Sequence, residues 1–123
     1  MIVARKYMIT EKEKKNLDEY LMEIGREPLL TAEEERTLLK FVQEKGTDCE
    51  EMKRLEKSFA RFVVSLSGQY RNKGLTIWEL IEVGTEGMRK AAMKYDFNAD
   101  VKFLSYAVWW MRQAMIQAIN EKE

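Results

Sequence analysis

Between residues 52 and 70 the apolar side chains Met52, Leu55, Phe59, Phe62, Val63, Leu66 and Tyr70 recur at alternating steps of three and four. That spacing keeps to one face of an α-helix and predicts a helix about five turns long with a single apolar stripe. It should stop near Asn72-Lys73-Gly74. Thr47-Asp48, just ahead of it, reads as its cap.

The same reading extends in both directions. Leu17, Tyr20, Leu21 and Ile24 share a face at i, i+3, i+4 and i+7, Gly25 offers a left-handed residue to end that helix, and Pro28 confirms the break. Thr31-Ala32-Glu33-Glu34 has the spacing of a capping box, in which hydroxyl and carboxylate each satisfy a free backbone N–H, and opens a helix to about Glu44. Thr76-Ile77-Trp78-Glu79 repeats that pattern. The helix it opens has Ile77, Leu80, Ile81, Gly84, Met88, Ala91, Ala92 and Tyr95 as its inner face. Gly84 and Gly87 each lower helix propensity by about 1 kcal/mol, which points to a close neighbour there. Residues 96–100 read as a loop, and a last helix runs from about Lys102 to Asn120. The expected fold is all-α: a compact bundle of about five helices in one domain over residues 17–123. A charged arm over residues 1–16 precedes it, mobile or a frayed extension of the first helix.

Composition removes several kinds of chemistry. The chain has no His and one cysteine, Cys49, so an internal disulfide, a zinc site and a His-dependent triad have no residues to build from. Glu33-Glu34-Glu35 and Glu50-Glu51 read as solvated helix faces and caps rather than acid–base pairs. Neither enzyme activity, nor a metal, nor a cofactor, nor a small-molecule substrate is expected. No apolar run approaches the roughly 18–20 residues that span a bilayer, and no secretory signal opens the chain, so a cytoplasmic location without a membrane partner is expected. Basic and acidic residues balance at 21 each, which argues against strong unaided binding to duplex DNA.

The last helix carries the most distinctive pattern. Tyr106, Trp109, Trp110, Gln113 and Gln117 follow one stripe that passes from aromatic to amide, with Phe103 a turn earlier. Such aromatics ordinarily fill a core. Adjacent tryptophans on a helix, however, point about 100° apart, so both are hard to bury in a domain this small. The amides are the groups that pair with adenine in a major groove, and the rings can stack on unpaired bases. Rings followed by amides fit a junction between melted and paired DNA.

Residues 102–114, KFLSYAVWWMRQA, resemble the promoter-melting segment of the bacterial sigma-70 family, region 2.3 running into 2.4. Phe62-Val63-Val64-Ser65 and Tyr70-Arg71-Asn72-Lys73-Gly74-Leu75 are similar to region 2.1; Glu79-Leu80-Ile81 with Gly84, Gly87 and Lys90-Ala91 to region 2.2; and residues 20–31 to region 1.2. The resemblance implies a sigma-70 region 2-like fold and a part in transcription initiation. The helix opened by Thr76 would dock on the coiled coil of the largest catalytic subunit of core RNA polymerase through Glu79, Glu82, Val83, Thr85 and Arg89. Lys102, Phe103, Ser105, Tyr106, Trp109, Trp110, Arg112, Gln113 and Gln117 would bind promoter DNA, mainly the melted non-template strand of the minus-ten element, with Gln113 on its upstream base pair. Arg26 and Thr31 would lie near the discriminator, and an anti-sigma factor is a possible further partner.

The match has departures. The docking helix reads Glu82-Val83-Gly84-Thr85 where the family usually shows Gln-Glu-Gly-Asn, with Arg89 in place of an apolar residue. Asn98-Ala99-Asp100 replaces a basic, Gly-containing loop, Val101 a frequent aromatic, and Ile116 a polar DNA contact. Weaker polymerase docking and phosphate attraction follow. They keep a second function in view, a diverged sigma-like decoy or regulator that binds a protein partner without opening promoters. A third is an unrelated helical interaction module whose aromatic stripe is only core. Met1 reads as a start, and Glu123 falls just past region 2.4, short of the domains that read the minus-35 element.

Overall fold

A computed structural model describes residues 11–26 and 28–122. Among these residues five helices follow in order: α1 Glu11–Ile24, α2 Ala32–Lys45, α3 Glu50–Gly68, α4 Ile77–Lys94 and α5 Phe103–Lys122. No strand occurs among the described residues, and the fold is all-α. Residues 1–10 of the expected arm lie outside the described residues, and residues 11–16 form the first turns of α1.

Both capping boxes form. In α2, Thr31 Oγ1 accepts from Glu34 N–H at 3.1 Å while the Glu34 carboxylate accepts from Thr31 N–H at 3.0 Å. Thr76 and Glu79 repeat this at 3.1 and 2.9 Å at the start of α4. The Thr31 and Thr76 amides donate to carboxylates, which favours the charged forms and holds Glu34 and Glu79 below the ordinary carboxylate range. The start of α3 differs from expectation. Its N-cap is Cys49, which makes no side-chain cap bond to the helix, and its thiol donates to Gly46 O at 3.3 Å. Thr47-Asp48 stand one and two residues too early to cap Glu50. Gly25 also departs from its expected role: its φ is not left-handed, and its N–H donates to Leu21 O at 3.0 Å, which carries the α1 hydrogen-bond ladder one residue further.

The long apolar stripe on α3 becomes the centre of the bundle. Met52, Leu55 and Val63 are fully buried and Phe59 nearly so. Phe62 leaves the stripe and is 42% exposed, because Val63 and Leu66 already define the inner face and Phe62 lies about 100° from Val63. Leu39 and Val42 of α2, Leu80, Met88 and Ala91 of α4, and Phe103, Ala107, Met111, Met115 and Ile119 of α5 close the core. The α5 residues recur every fourth position, so α5 presents a narrow strip inward and leaves most of its circumference outside. On the first helix, Tyr20 meets Trp78 edge-to-face at 5.4 Å and ties α1 to the start of α4.

A left-handed Asn72 (φ 67°) and Gly74 (φ 108°) turn the chain between α3 and α4. The most extensive helix pairing is α4 on α5. Gly87 makes it possible: a Cβ there would lie 2.7 Å from Trp110 O and 3.0 Å from Met111 Cα. The expectation that α4 is closely approached at its glycines is met by α5 backbone at Gly87 and by the side chains of Met115 and Val63 at Gly84.

Candidate nucleic-acid interface

The narrow inner strip of α5 decides where its aromatics go. Trp109 is 57% exposed, Tyr106 and Trp110 are half-buried, and Ser105, Arg112, Gln113 and Gln117 are exposed. The ordinary core explanation therefore fails for Trp109 and the amides and holds in part for Tyr106 and Trp110, which pack against the core. It holds fully for Phe103, which is 1% exposed and packed edge-to-face on Phe59 at 5.6 Å and Tyr95 at 5.4 Å. Phe103 begins the inward series with Ala107 and Met111, so its ring supports the surface from below. Lys102 is exposed just ahead of it.

The rings form a connected ladder. Tyr95 lies 5.3 Å from Phe97 and 5.7 Å from Tyr106; Tyr106 lies 6.2 Å from Trp110, which meets Trp109 at 5.5 Å with the two indole planes 83° apart. The tryptophans thus make an open L with one arm in solvent. Hydroxyl bonds fix the lower rungs: Tyr95 donates to Val101 O at 2.6 Å and Tyr106 to Lys94 O at 3.3 Å. The Trp110 Nε1–H is buried and finds no acceptor among the described residues. An unpaired buried donor costs about 1–3 kcal/mol. Further along, the Gln117 amide donates to Glu121 at 3.1 Å.

Beside the ladder lies a groove of about 660 Å³, which sequence reasoning missed. Leu29, Leu30, Phe59, Phe62, Phe97 and Phe103 give it an apolar lining, and Arg36, Lys102, Ser58, Glu33 and Glu35 supply charge and polarity. Burial pushes the Glu35 carboxyl up, the reverse of the capping glutamates. The available signal was Phe62, an aromatic displaced from the inner series of α3, together with Leu29, which is 69% exposed.

The predicted docking residues on α4 divide into two groups. Glu82 is exposed and Val83 and Thr85 are half-buried, with the Thr85 hydroxyl donating to Ile81 O at 2.8 Å. Glu79 and Arg89 are engaged inside the fold: Glu79 in its capping box, and Arg89 with Glu56 of α3 at 2.7 Å and Glu86 at 3.4 Å. No group of three or more metal-ligating side chains occurs among the described residues, and no described helix is long and apolar enough to cross a membrane.

The family model for sigma-70 region 2 matches residues 55–123, which take in most of α3 and all of α4 and α5, and that for sigma-70 region 1.2 matches residues 17–38. The chain belongs to the sigma-70 family. It is 44% identical over 103 residues to the RNA polymerase sigma factors SigA of Listeria monocytogenes and Listeria innocua, and 42% identical to that of a Bacillus species. Each alignment covers 84% of this chain and 27% of the relative, so the chain spans about a quarter of the length of these curated relatives. In this sigma-70 chain the apolar groove lies between the two matched segments: Leu29, Leu30 and Arg36 come from region 1.2, and Phe59, Phe62, Phe97, Lys102 and Phe103 from region 2.

Proposed function

We propose that this sigma-70 chain docks on core RNA polymerase through the exposed face of α4 and holds the melted non-template strand of a minus-ten element on the aromatic face of α5. The observation that carries the reading is the tryptophan L, in which a 57% exposed Trp109 stands against Trp110 at the top of a ring ladder anchored in the core. A flat indole held in water on a rigid helix is free to stack, and an unpaired base has the flat face that fits it. The groove beside Lys102 is a second apolar recess for an unstacked base, and exposed Gln113 continues the helix toward paired DNA. Unpairing costs a few kcal/mol, and capture of a flipped base offsets part of it, so opening requires binding rather than covalent chemistry.

Among the proposed strand contacts at α5 only Lys102 and Arg112 offer positive charge, with Arg36 in the groove lining. Phosphate attraction is therefore modest, and affinity rests mainly on stacking. For the polymerase-bound chain, Lys102→Ala and Arg112→Ala should each reduce the slope of log affinity for single strand against log salt by about 0.7. A slope left unchanged by both would remove phosphate contact from this face.

A second reading, a decoy that docks without opening promoters, is favoured by α4. Its Glu79 and Arg89 are committed to contacts within the fold, and Val83 stands where the family carries a carboxylate. The combined change Glu82→Gln, Val83→Glu and Thr85→Asn is expected to tighten core-polymerase affinity by about tenfold, the value of one well-made polar contact. Titration of labelled chain with core polymerase measures it, and unchanged affinity would show that these departures do not weaken docking.

A further inference from the structure

One face of α2 grips the connection between α4 and α5. Arg36, Lys40 and Gln43 lie at i, i+4 and i+7 and so point the same way. The Gln43 side-chain amide donates both of its hydrogens, to Ala92 O at 3.0 Å and to Tyr95 O at 2.8 Å. These carbonyls belong to the end of α4, where the last turn has no N–H of its own helix to accept from. Tyr95 is already extended there (φ −64°, ψ 129°), so no glycine cap closes the helix and a side chain from another element does so instead. Further along the same face, the Arg36 guanidinium lies 5.1 Å and Lys40 Nζ 5.8 Å from the centre of the Phe97 ring.

Tyr95 is also the hub of the ring ladder, touching Phe97, Phe103 and Tyr106, and through Tyr106 the tryptophan pair. Whatever fixes the backbone of Tyr95 fixes the inner end of the surface that presents Trp109. We propose that Gln43 is a positioning residue for strand capture: with Arg36 and Lys40 it holds the turn at residues 92–97 so that the aromatic ladder keeps its geometry. The inference rests on the strand-binding reading above, and Gln43 acts through Tyr95 without touching DNA. The chemistry is specific to an amide. Alanine leaves two carbonyls without their donor, and a glutamate would turn acceptor oxygens toward them.

The test uses the full chain bound to core RNA polymerase, with a fluorescent minus-ten non-template oligonucleotide and a scrambled one of equal length. Gln43→Ala and Gln43→Glu are expected to lower the affinity ratio between the two by about tenfold, the loss of roughly one stacked base's contact when the ladder shifts. The near-ultraviolet circular dichroism of the free variants should change while the helical signal stays that of the parent. Val42→Ala, which removes core volume on the same helix without touching the turn, is the control: it lowers the thermal midpoint and keeps the selectivity. Gln43 variants with parental selectivity would overturn the proposal, whatever their spectra. A parent chain with no selectivity would overturn the strand-binding reading itself, and this inference with it.

Discussion

Trp109→Ala is expected to weaken binding of a minus-ten single strand by about 10- to 100-fold in the polymerase complex, since a stacked base is worth about 1–3 kcal/mol and each 1.4 kcal/mol is tenfold. Thermal stability should hold within about 1 kcal/mol, because the ring is 57% exposed and its removal leaves no cavity in the core. Phe103→Ala is the opposite case. Its ring is 1% exposed between Phe59 and Tyr95, so it should cost about 3–5 kcal/mol of stability. Fluorescence anisotropy with the labelled strand and a thermal melt of the free chain measure both effects. A Trp109→Ala chain with parental strand affinity, or one that melts far earlier, would return the stripe to a packing role.

Gly87→Ala is expected to lower stability by up to about 2 kcal/mol and to weaken strand binding with it. Alanine gains about 1 kcal/mol of helix propensity, yet overpacking against an unyielding neighbour costs about 1–3 kcal/mol. The neighbour here is backbone: the new methyl would lie 2.7 Å from Trp110 O, and only a shift of α5 against α4 relieves that. Such a shift moves the tryptophan pair. At Gly84 the nearest atom is Met115 Cε at 2.5 Å, the end of a flexible side chain, with Val63 Cγ1 at 3.1 Å, so Gly84→Ala should stay within about 1 kcal/mol of the parent. Chemical denaturation of the two variants side by side measures the contrast, and equal stabilities would contradict the backbone argument.

Much of the fold was legible because its signals are local. Each capping box is a four-residue pattern whose bonds form within its own turn, and the three-and-four rhythm of α3 is a property of one helix. The glycines on α4 were legible as a cost that needed a reason, and α5 supplies it. What stayed hidden depends on which of two adjacent faces a helix turns inward. Phe103 and Tyr106 are both aromatic and three residues apart, and only the series Phe103, Ala107, Met111 and Met115 separates support from surface. Phe62 was placed inside for the same reason: its spacing fits the stripe, but Val63 and Leu66 occupy the inner face. Thr47-Asp48 had the right residue types for a cap at the wrong distance from the first turn. The Gln43 bonds join residues 49 and 52 positions apart, and the apolar groove draws on three segments far apart in the chain, around residues 29–39, 58–62 and 95–104. No local pattern encodes either.

The central claim is that α5 presents a built surface for an unpaired strand once α4 has docked. The most direct measurement is to capture core RNA polymerase with this chain, isolate the complex, and titrate it with the minus-ten non-template oligonucleotide beside its scrambled counterpart. Retention of polymerase together with tighter binding of the minus-ten strand is the expected result. Polymerase retained with equal affinity for the two strands would contradict the claim and establish the decoy reading, and no retention at all would contradict both.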